Sequence, residues 1–382
     1  MGVMYRIVRG LLFHGFAALI AGIIGVAAVF PVGAEKPVDI IRARQQTQEI
    51  WRQRIQSFLD RGVIPLIDLQ SSLKREDGEL YLDDALRVMD EVGLALIAFD
   101  GYQASKGGKG YRWGYYIHEI VNAHPDRIVL ATNGGTNSNW LGQKGGQPRH
   151  FVDQLEKQVR GGDYPIIGEL DFRHYMSNRQ CKKGRTDRDS DIPLNGENGS
   201  RVFRLAEATG VPIAIHLEPE DAPLDALQEM LASHPKAPVI VAHFGQIRHP
   251  ARQKRFGPDL VRQLLTINPN LYYDLSTGDP GRQYHCGGGF DTVIWEDGSL
   301  GQTDNLKPEY KAILSEFSDR FVVGTDYGGG RGPLPAFLKK KVANIRLILR
   351  DLASEAKHDI GYRNAWKLLT GKDWGAAGRG GR

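Results

Sequence analysis

Several short apolar runs in this 382-residue chain end on, or carry at their end, a residue able to hold a cation or move a proton: Asp68, Glu169, His216, His243, Asp274 and Asp326. Carboxylates and imidazoles are the side chains that exchange protons near neutral pH and that ligate zinc-class ions. Six such termini would be an odd way to fill a structural core, because a buried charge is costly without a partner. Each has a plainer reading too. A strand-end histidine is often hydrogen-bonded structure, and Glu169 could pair with the nearby Arg173 or Arg179. Asp68 and Asp274 read as supports, Asp68 as a brace for the turn that follows it.

The runs that must position these residues are Val63 to Asp68, Leu94 to Asp100, Arg127 to Thr132, Pro165 to Leu170, Pro212 to His216, Pro238 to His243, Leu271 to Leu275 and Phe321 to Asp326. Their near-continuous apolar character is that of strands buried on both faces of a parallel sheet. Helix-like segments separate them: Leu82 to Val92 closed by Gly93, Trp113 to Ala123, Phe151 to Arg160, Val202 to Thr209 closed by Gly210, and Leu224 to Ser233. An open doubly wound sheet has the same alternation. Eight repeats with polar ends on many strands point to a single (β/α)8 barrel, whose active face lies at the carboxyl ends of its strands. The two longest gaps, after the fourth and seventh runs, then become active-face loops. Ahead of the barrel, Val38 to about Gly62 reads as an extra amphipathic helix with Ile40, Ile41, Ile50, Trp51, Ile55 and Phe58 on its apolar side. The barrel is expected over residues 63–374, the helix within 35–62, and a disordered tail over 375–382.

With the strands placed, the pattern resembles the amidohydrolase superfamily, especially its amidohydrolase-2 branch. The resemblance rests on Ile215-His216 after strand five, Ala242-His243 after strand six, Gly324-Thr325-Asp326-Tyr327 after strand eight and the late Arg363-Asn364-Ala365-Trp366. It implies a metal-dependent barrel hydrolase. It also implies a His-x-His pair after strand one, and here the sequence departs, with Asp68-x-Gln70-x-Ser72 in that place. An amide and a hydroxyl are poor ligands for borderline metals, so the first metal position is expected to be empty. Glu169, His216 and His243 still offer one carboxylate and two imidazoles, the three-ligand set that leaves a place for water. The pattern is similar to that of N-acetylglucosamine-6-phosphate deacetylases, a bacterial subgroup of which has amides for the strand-one histidines and works with one metal. One divalent ion, zinc first and iron or manganese next, would bring the pKa of water from about 16 towards about 7. Asp326 would be the general base, with His243 beside it. Gln70, Ser72, Arg173 and His174 would contact substrate. The resemblance leaves open a metal-independent lactonase, a decarboxylase, and a catalytically inactive barrel that binds a ligand or partner.

Composition narrows the setting. A net charge of +4 with Lys and Arg spread along the chain excludes a nucleic-acid stripe, leaving a small molecule as the expected partner. Arg6 and Arg9 precede an uncharged run from Leu11 to Phe30, and Val32 and Ala34 stand before Glu35. That is the plan of a secretory signal over residues 1–34, or of an uncleaved anchor as the only membrane contact. Either way the folded part is expected to be secreted or periplasmic. Two cysteines, Cys181 and Cys286, exclude a disulfide scaffold but could pair with each other. After strand four, Arg173, His174, Arg179, Lys182, Lys183, Arg185 and Arg188 make a positive excess that suits an anionic substrate, or a solvated surface offset by Asp187, Asp189 and Asp191. Trp113, Tyr115, Tyr116 and Trp140 could wall a pocket or pack as core. Neither a phosphate loop nor a Gly-x-Ser-x-Gly elbow is present, which argues against nucleophilic catalysis.

Overall fold

The computed structural model describes residues 37–104, 111–113, 116–132, 148–186, 189–252, 255–328 and 332–375. The proposed signal, the tail beyond residue 375, Tyr115, Trp140, Asp187 and Arg188 lie outside these residues. Among the described residues no helix is long and apolar enough to cross a membrane.

The eight runs form eight strands: β1 Leu66–Lys74, β2 Leu94–Ala104, β3 Ile128–Leu130, β4 Ile167–His174, β5 Ile213–Leu217, β6 Val239–Val241, β7 Leu271–Asp274 and β8 Phe321–Val322. Neighbours pair in parallel from β1 through β3 and from β4 through β8. Isolated parallel bridges join the two seams, Ala131 to Ile166 between β3 and β4, and Asp68 to Val323 with Ser71 to Tyr327 between β1 and the end of β8. At these seams Thr132 N–H donates to Ile166 O at 3.1 Å and Leu69 N–H to Val323 O at 3.0 Å. The result is the expected closed ring. A helix follows each strand: α1 Arg75–Val92, α2 Tyr116–Ala123, α3 Pro148–Gly161, α4 Glu197–Thr209, α5 Asp221–Ser233, α6 Pro258–Ile267, α7 Pro308–Glu316 and α8 Leu334–Leu349. Gly93 and Gly210 close α1 and α4 in left-handed conformation, as their positions in the sequence suggest. One element differs: Tyr111–Trp113 is a short strand antiparallel to the end of β2, so Trp113 does not begin the helix. An aromatic-rich stretch such as this is as compatible with a strand edge as with a helix.

Burial falls into two shells. Alternate strand residues such as Ile213, Ile215, Val239 and Val241 face the helices, while Ile67, Leu96, Ala98, Ile166, Ala214, Ile240 and Val322 fill the lumen. The preceding helix, Pro37–Leu59, joins the lumen cluster through Trp51, Ile55 and Phe58 and so lies at the amino end of the barrel. The late Asn364 explains part of its motif: its amide donates to Ser318 O at 2.7 Å and Phe321 O at 2.8 Å, holding the start of β8. Trp366 is buried in the lumen cluster.

The β1–β8 seam depends on Asp68. Its buried carboxylate accepts from Gln70 N at 2.8 Å, Ser71 Oγ at 2.9 Å, Thr325 N at 3.0 Å and Thr325 Oγ1 at 2.5 Å. Burial pushes this carboxyl up to about 7, against the pull of the four donors. A raised folded-state pKa means the native protein holds a proton that the unfolded chain gives up near 3.8. The contribution is fully present below that value and is lost as pH rises towards 7. Asp68→Asn removes this titration. Relative to the variant, the wild type is therefore expected to lose stability between pH 4 and 7, measured by urea unfolding at several pH values; a difference that does not change with pH would contradict the assignment.

Candidate functional site

The rule of alternation decides which strand-end residues reach the lumen. On β5, Ala214 faces inward, so His216, two residues on, does too. On β7, Tyr272 packs against the lumen cluster and Asp274 follows at the same spacing. Two strands break the rule. On β4 both Ile167 and Leu170 belong to the helix-facing cluster, three residues apart, and the β4–β5 register shifts between them. This bulge inserts an extra residue and turns Glu169 inward. It requires glycine at 168, where φ is 101° and a Cβ would lie 2.3 Å from Ala214 O. On β6, Ile240 faces inward, so a regular strand would send His243 outward; φ of 65° at His243 re-aims it. Asp326 likewise has φ of 54°.

These devices converge on Glu169. Its Oε1 lies 3.0 Å from His216 Nδ1 and 3.0 Å from His243 Nε2, and its Oε2 accepts from Gln70 Nε2 at 2.7 Å. Burial alone would raise this carboxyl, but His243 and His216 hold it well below the ordinary carboxylate range. His243 shows the reverse balance: burial disfavours its charge, yet Glu169, with Asp326 and Asp274 behind it, raises it to about 9. The backbone N–H of His243 donates to Asp274 Oδ1 at 2.9 Å, and Ser276 Oγ stands 2.7 Å from its Nδ1 while donating to the same Asp274 oxygen. Burial raises Asp274. Asp326 is half-buried, with its N–H donating to Gln70 O at 2.9 Å.

Proton accounting shows that the residues fit a cation. Ser276 Oγ gives its hydrogen to Asp274, so His243 Nδ1 donates to Ser276, and Nε2 can face Glu169 only with the second proton that its raised pKa provides or with a cation in that proton's place. His216 has the same difficulty twice over, with Nδ1 at Glu169 and Nε2 3.3 Å from Glu218 Oε1. Either extra protons or a cation must sit between these groups. One oxygen and two imidazole nitrogens within 4.8 Å of one another can share a divalent ion. The serine contact on the far nitrogen of His243 is the kind of outer support that orients a ligand histidine.

The other expected contacts are placed differently. Gln70 does not present its amide nitrogen to a substrate, because that nitrogen is committed to Glu169. Ser72 is half-buried, with its N–H tied to Tyr327 O at 2.6 Å. Arg173 leaves the lumen altogether: its guanidinium pairs with Asp189 and Glu220 at 2.7 Å each, so its charge is already neutralised. Lys182, Lys183 and Arg185 of the same loop are exposed. His174 does reach the lumen, its ring 4.2 Å from that of His216.

Sequence reasoning missed Asp171, Glu218 and Arg248. Glu218 is 2% exposed and pairs with Arg248 Nη1 at 2.9 Å, a guanidinium that is itself buried. Period two from His216 along β5 would have found Glu218; nothing in the sequence separates Arg248 from a surface arginine. Above these residues the two longest loops are fastened together. Cys181 and Cys286 are joined across 105 residues, with Cα atoms 6.1 Å apart, and Asn178 exchanges hydrogen bonds with Gln283 O and His285 N–H at 2.8 and 2.7 Å.

The sequence profile described as Amidohydrolase matches residues 144–370, more than half of the chain. The chain belongs to the amidohydrolase family. As a family member it is an enzyme, and the closed barrel is the architecture its family implies. Solved structures are similar in outline. An amidohydrolase from Burkholderia multivorans with bound zinc is 11% identical, with 80% of this chain and 99% of that one covered and a TM-score of 0.44. Dihydroxybenzoic acid decarboxylase from Polaromonas sp. JS666, with bound manganese and 2-nitroresorcinol, is 13% identical over 80% and 96% of the two chains, with a TM-score of 0.48. A 2,6-dihydroxybenzoate decarboxylase from Rhizobium is 11% identical over 80% and 98%, with a TM-score of 0.46. No curated protein matches the sequence.

The bulge gives this amidohydrolase site a direct check. Gly168→Ala must push its methyl into Ala214 O or undo the turn that aims Glu169. The expected loss is about 1–3 kcal/mol of stability, measured by urea unfolding. Undiminished stability in the variant would contradict the role given to the bulge.

Proposed function

We propose that the chain is an exported hydrolase in which Glu169, His216 and His243 hold one divalent ion. The observation that carries this reading is Glu169 Oε1 poised 3.0 Å from one nitrogen of each of two imidazoles, three ligand atoms within 4.8 Å of one another. Zinc suits the donor set best, with iron and manganese next. When bound, such an ion supplies Lewis acidity to a carbonyl or phosphoryl oxygen and acidity to water.

The chain's own residues do the rest. Gln70 holds the second oxygen of Glu169, fixing which oxygen faces the histidines. Ser276 and Asp274 hold His243 in orientation through both its backbone and its ring. Asp326, near enough for its charge to act on His243, takes a proton from water and returns it to the leaving group. Arg248 offsets Glu218 within the buried wall and does not present a free cation to a substrate. With Arg173 neutralised as well, the lumen favours a small ester, lactone or amide over a substrate that depends on an arginine clamp. Export is supported by the apolar run Leu11 to Phe30 after Arg6 and Arg9, and by the Cys181–Cys286 bond, which persists in oxidising compartments.

The test is hydrolysis of a panel of esters, lactones, amides and phosphoesters. Activity is expected to disappear on chelation and to return with zinc, iron or manganese. Asp326→Asn should lower kcat by about 10²–10⁴-fold while leaving the bound metal in place. Hydrolysis unaffected by chelation, or release of carbon dioxide from aromatic acids in place of hydrolysis, would overturn the proposal.

A further inference from the structure

Three polar residues at the ends of β4 and β5, Asp171, His174 and Glu218, are left unused by the proposed hydrolytic site and surround His216. Asp171 and His216 are register partners across the two strands. His174 follows Asp171 towards the carboxyl end of β4, and Glu218 follows His216 at the end of β5. Glu218 N–H donates to Arg173 O at 2.9 Å, which locks the two strand ends together. The four side chains are nearly inaccessible, at 0% for Asp171, 4% for His174, 4% for His216 and 2% for Glu218.

Their chemistry is that of a cation site. Ligand atoms of Asp171, His174 and His216 all lie within 4.8 Å of one another. The His174 and His216 rings stand 4.2 Å apart with a 49° tilt, so they lie side by side without stacking flat. Glu218 adds a second carboxylate: its Oε1 lies 3.3 Å from His216 Nε2, and its buried Oε2 has no hydrogen-bond partner among the described residues. A carboxylate oxygen in that position calls for a donor or a cation. Asp171, His174 and His216 offer one carboxylate and two imidazoles to a zinc-class divalent ion, and Glu218, in reach of His216, stands as a further carboxylate beside them. Arg248, bonded to Glu218 Oε1 at 2.9 Å, supports the set from outside in the way outer partners orient ligands.

We infer that Asp171, His174 and Glu218, with His216, form a second divalent-cation position on the opposite side of the His216 ring from Glu169. It differs from the strand-one position that Gln70 and Ser72 vacate, since none of its residues comes from β1. The inference rests on the hydrolytic reading only in sharing His216. Its Nδ1 faces Glu169 and its Nε2 faces Glu218, so with both positions filled the imidazole bridges two ions and its ring protons pass to solvent. The second ion supplies charge beside the reacting centre and rigidity to the β4–β5 edge, beneath the loops that Cys181 and Cys286 join.

The experiment is calorimetric titration of the metal-stripped full chain with zinc alone, in two buffers of different ionisation enthalpy. The wild type is expected to take up two equivalents, with a buffer-dependent heat that reports protons released. His174→Ala and Asp171→Asn should each bind one equivalent, and so should His243→Ala, which keeps the second position and loses the first. Should His174→Ala fail to fold by circular dichroism, His174→Gln makes the same removal with a side chain of similar length. One equivalent in the wild type, lost in His243→Ala and untouched by both His174 and Asp171 substitutions, would overturn the second position and leave the hydrolytic reading standing. One equivalent lost in His174→Ala and untouched by His243→Ala would do the reverse. No zinc bound by the wild type would overturn both.

Discussion

Everything at the carboxyl end of this barrel depends on one carboxylate, Glu169, held between two imidazoles in a buried lumen. A charge in that position is costly by itself, so the surrounding structure has to compensate it from several sides. His216 and His243 approach one oxygen, and Gln70 donates to the other. The compensation is geometric before it is electrostatic. It takes a bulge at Gly168 to bring Glu169 inward and a left-handed turn to bring His243 inward, both departures from regular strand geometry. Functional sites are where such departures concentrate, since a regular strand would place these side chains against the helices.

A second tier holds the first in place. Asp68 accepts two hydrogen bonds from within β1 and two from Thr325 just past β8, so the strand that offers Gln70 and the segment that offers Asp326 are held together. Asp274 plays the same part for His243, accepting from its backbone and from the serine that contacts its ring. Above them the Cys181–Cys286 bond fastens the long loop after β4 to the long loop after β7. A cross-link over so long a stretch of chain restrains the unfolded state strongly, by about 4–5 kcal/mol on the chain-entropy account. The lumen floor is apolar, and the preceding helix supplies Trp51, Ile55 and Phe58 to it.

The barrel was legible in the sequence because its signal is local: eight apolar runs with glycine-closed helices between them determine both strand number and direction. Glu169, His216, His243 and Asp326 were legible because each sits at the end of such a run. What stayed hidden depended on register. Gln70 looked like a substrate contact because its partner, Glu169, lies 99 residues away. Arg173 looked like an anion site because adjacency in the loop says nothing of Asp189 and Glu220 folding back onto it. Asp171 and Glu218 were visible as residues, but only the pairing of β4 with β5 brings them together beside His216. The cysteine pair is a similar case, since sequence places both in loops at one end and only the fold gives their separation.

The most direct test of this account is anomalous diffraction at the zinc edge from crystals of the full chain grown with zinc. The account predicts a peak about 2.0–2.2 Å from the carboxylate of Glu169 and from His216 Nδ1 and His243 Nε2, the distances of zinc bound by carboxylate and imidazole. A lumen without a peak, or a peak beside Gln70 and Ser72 with Glu169 left in hydrogen-bonded contact with both histidines, would contradict it.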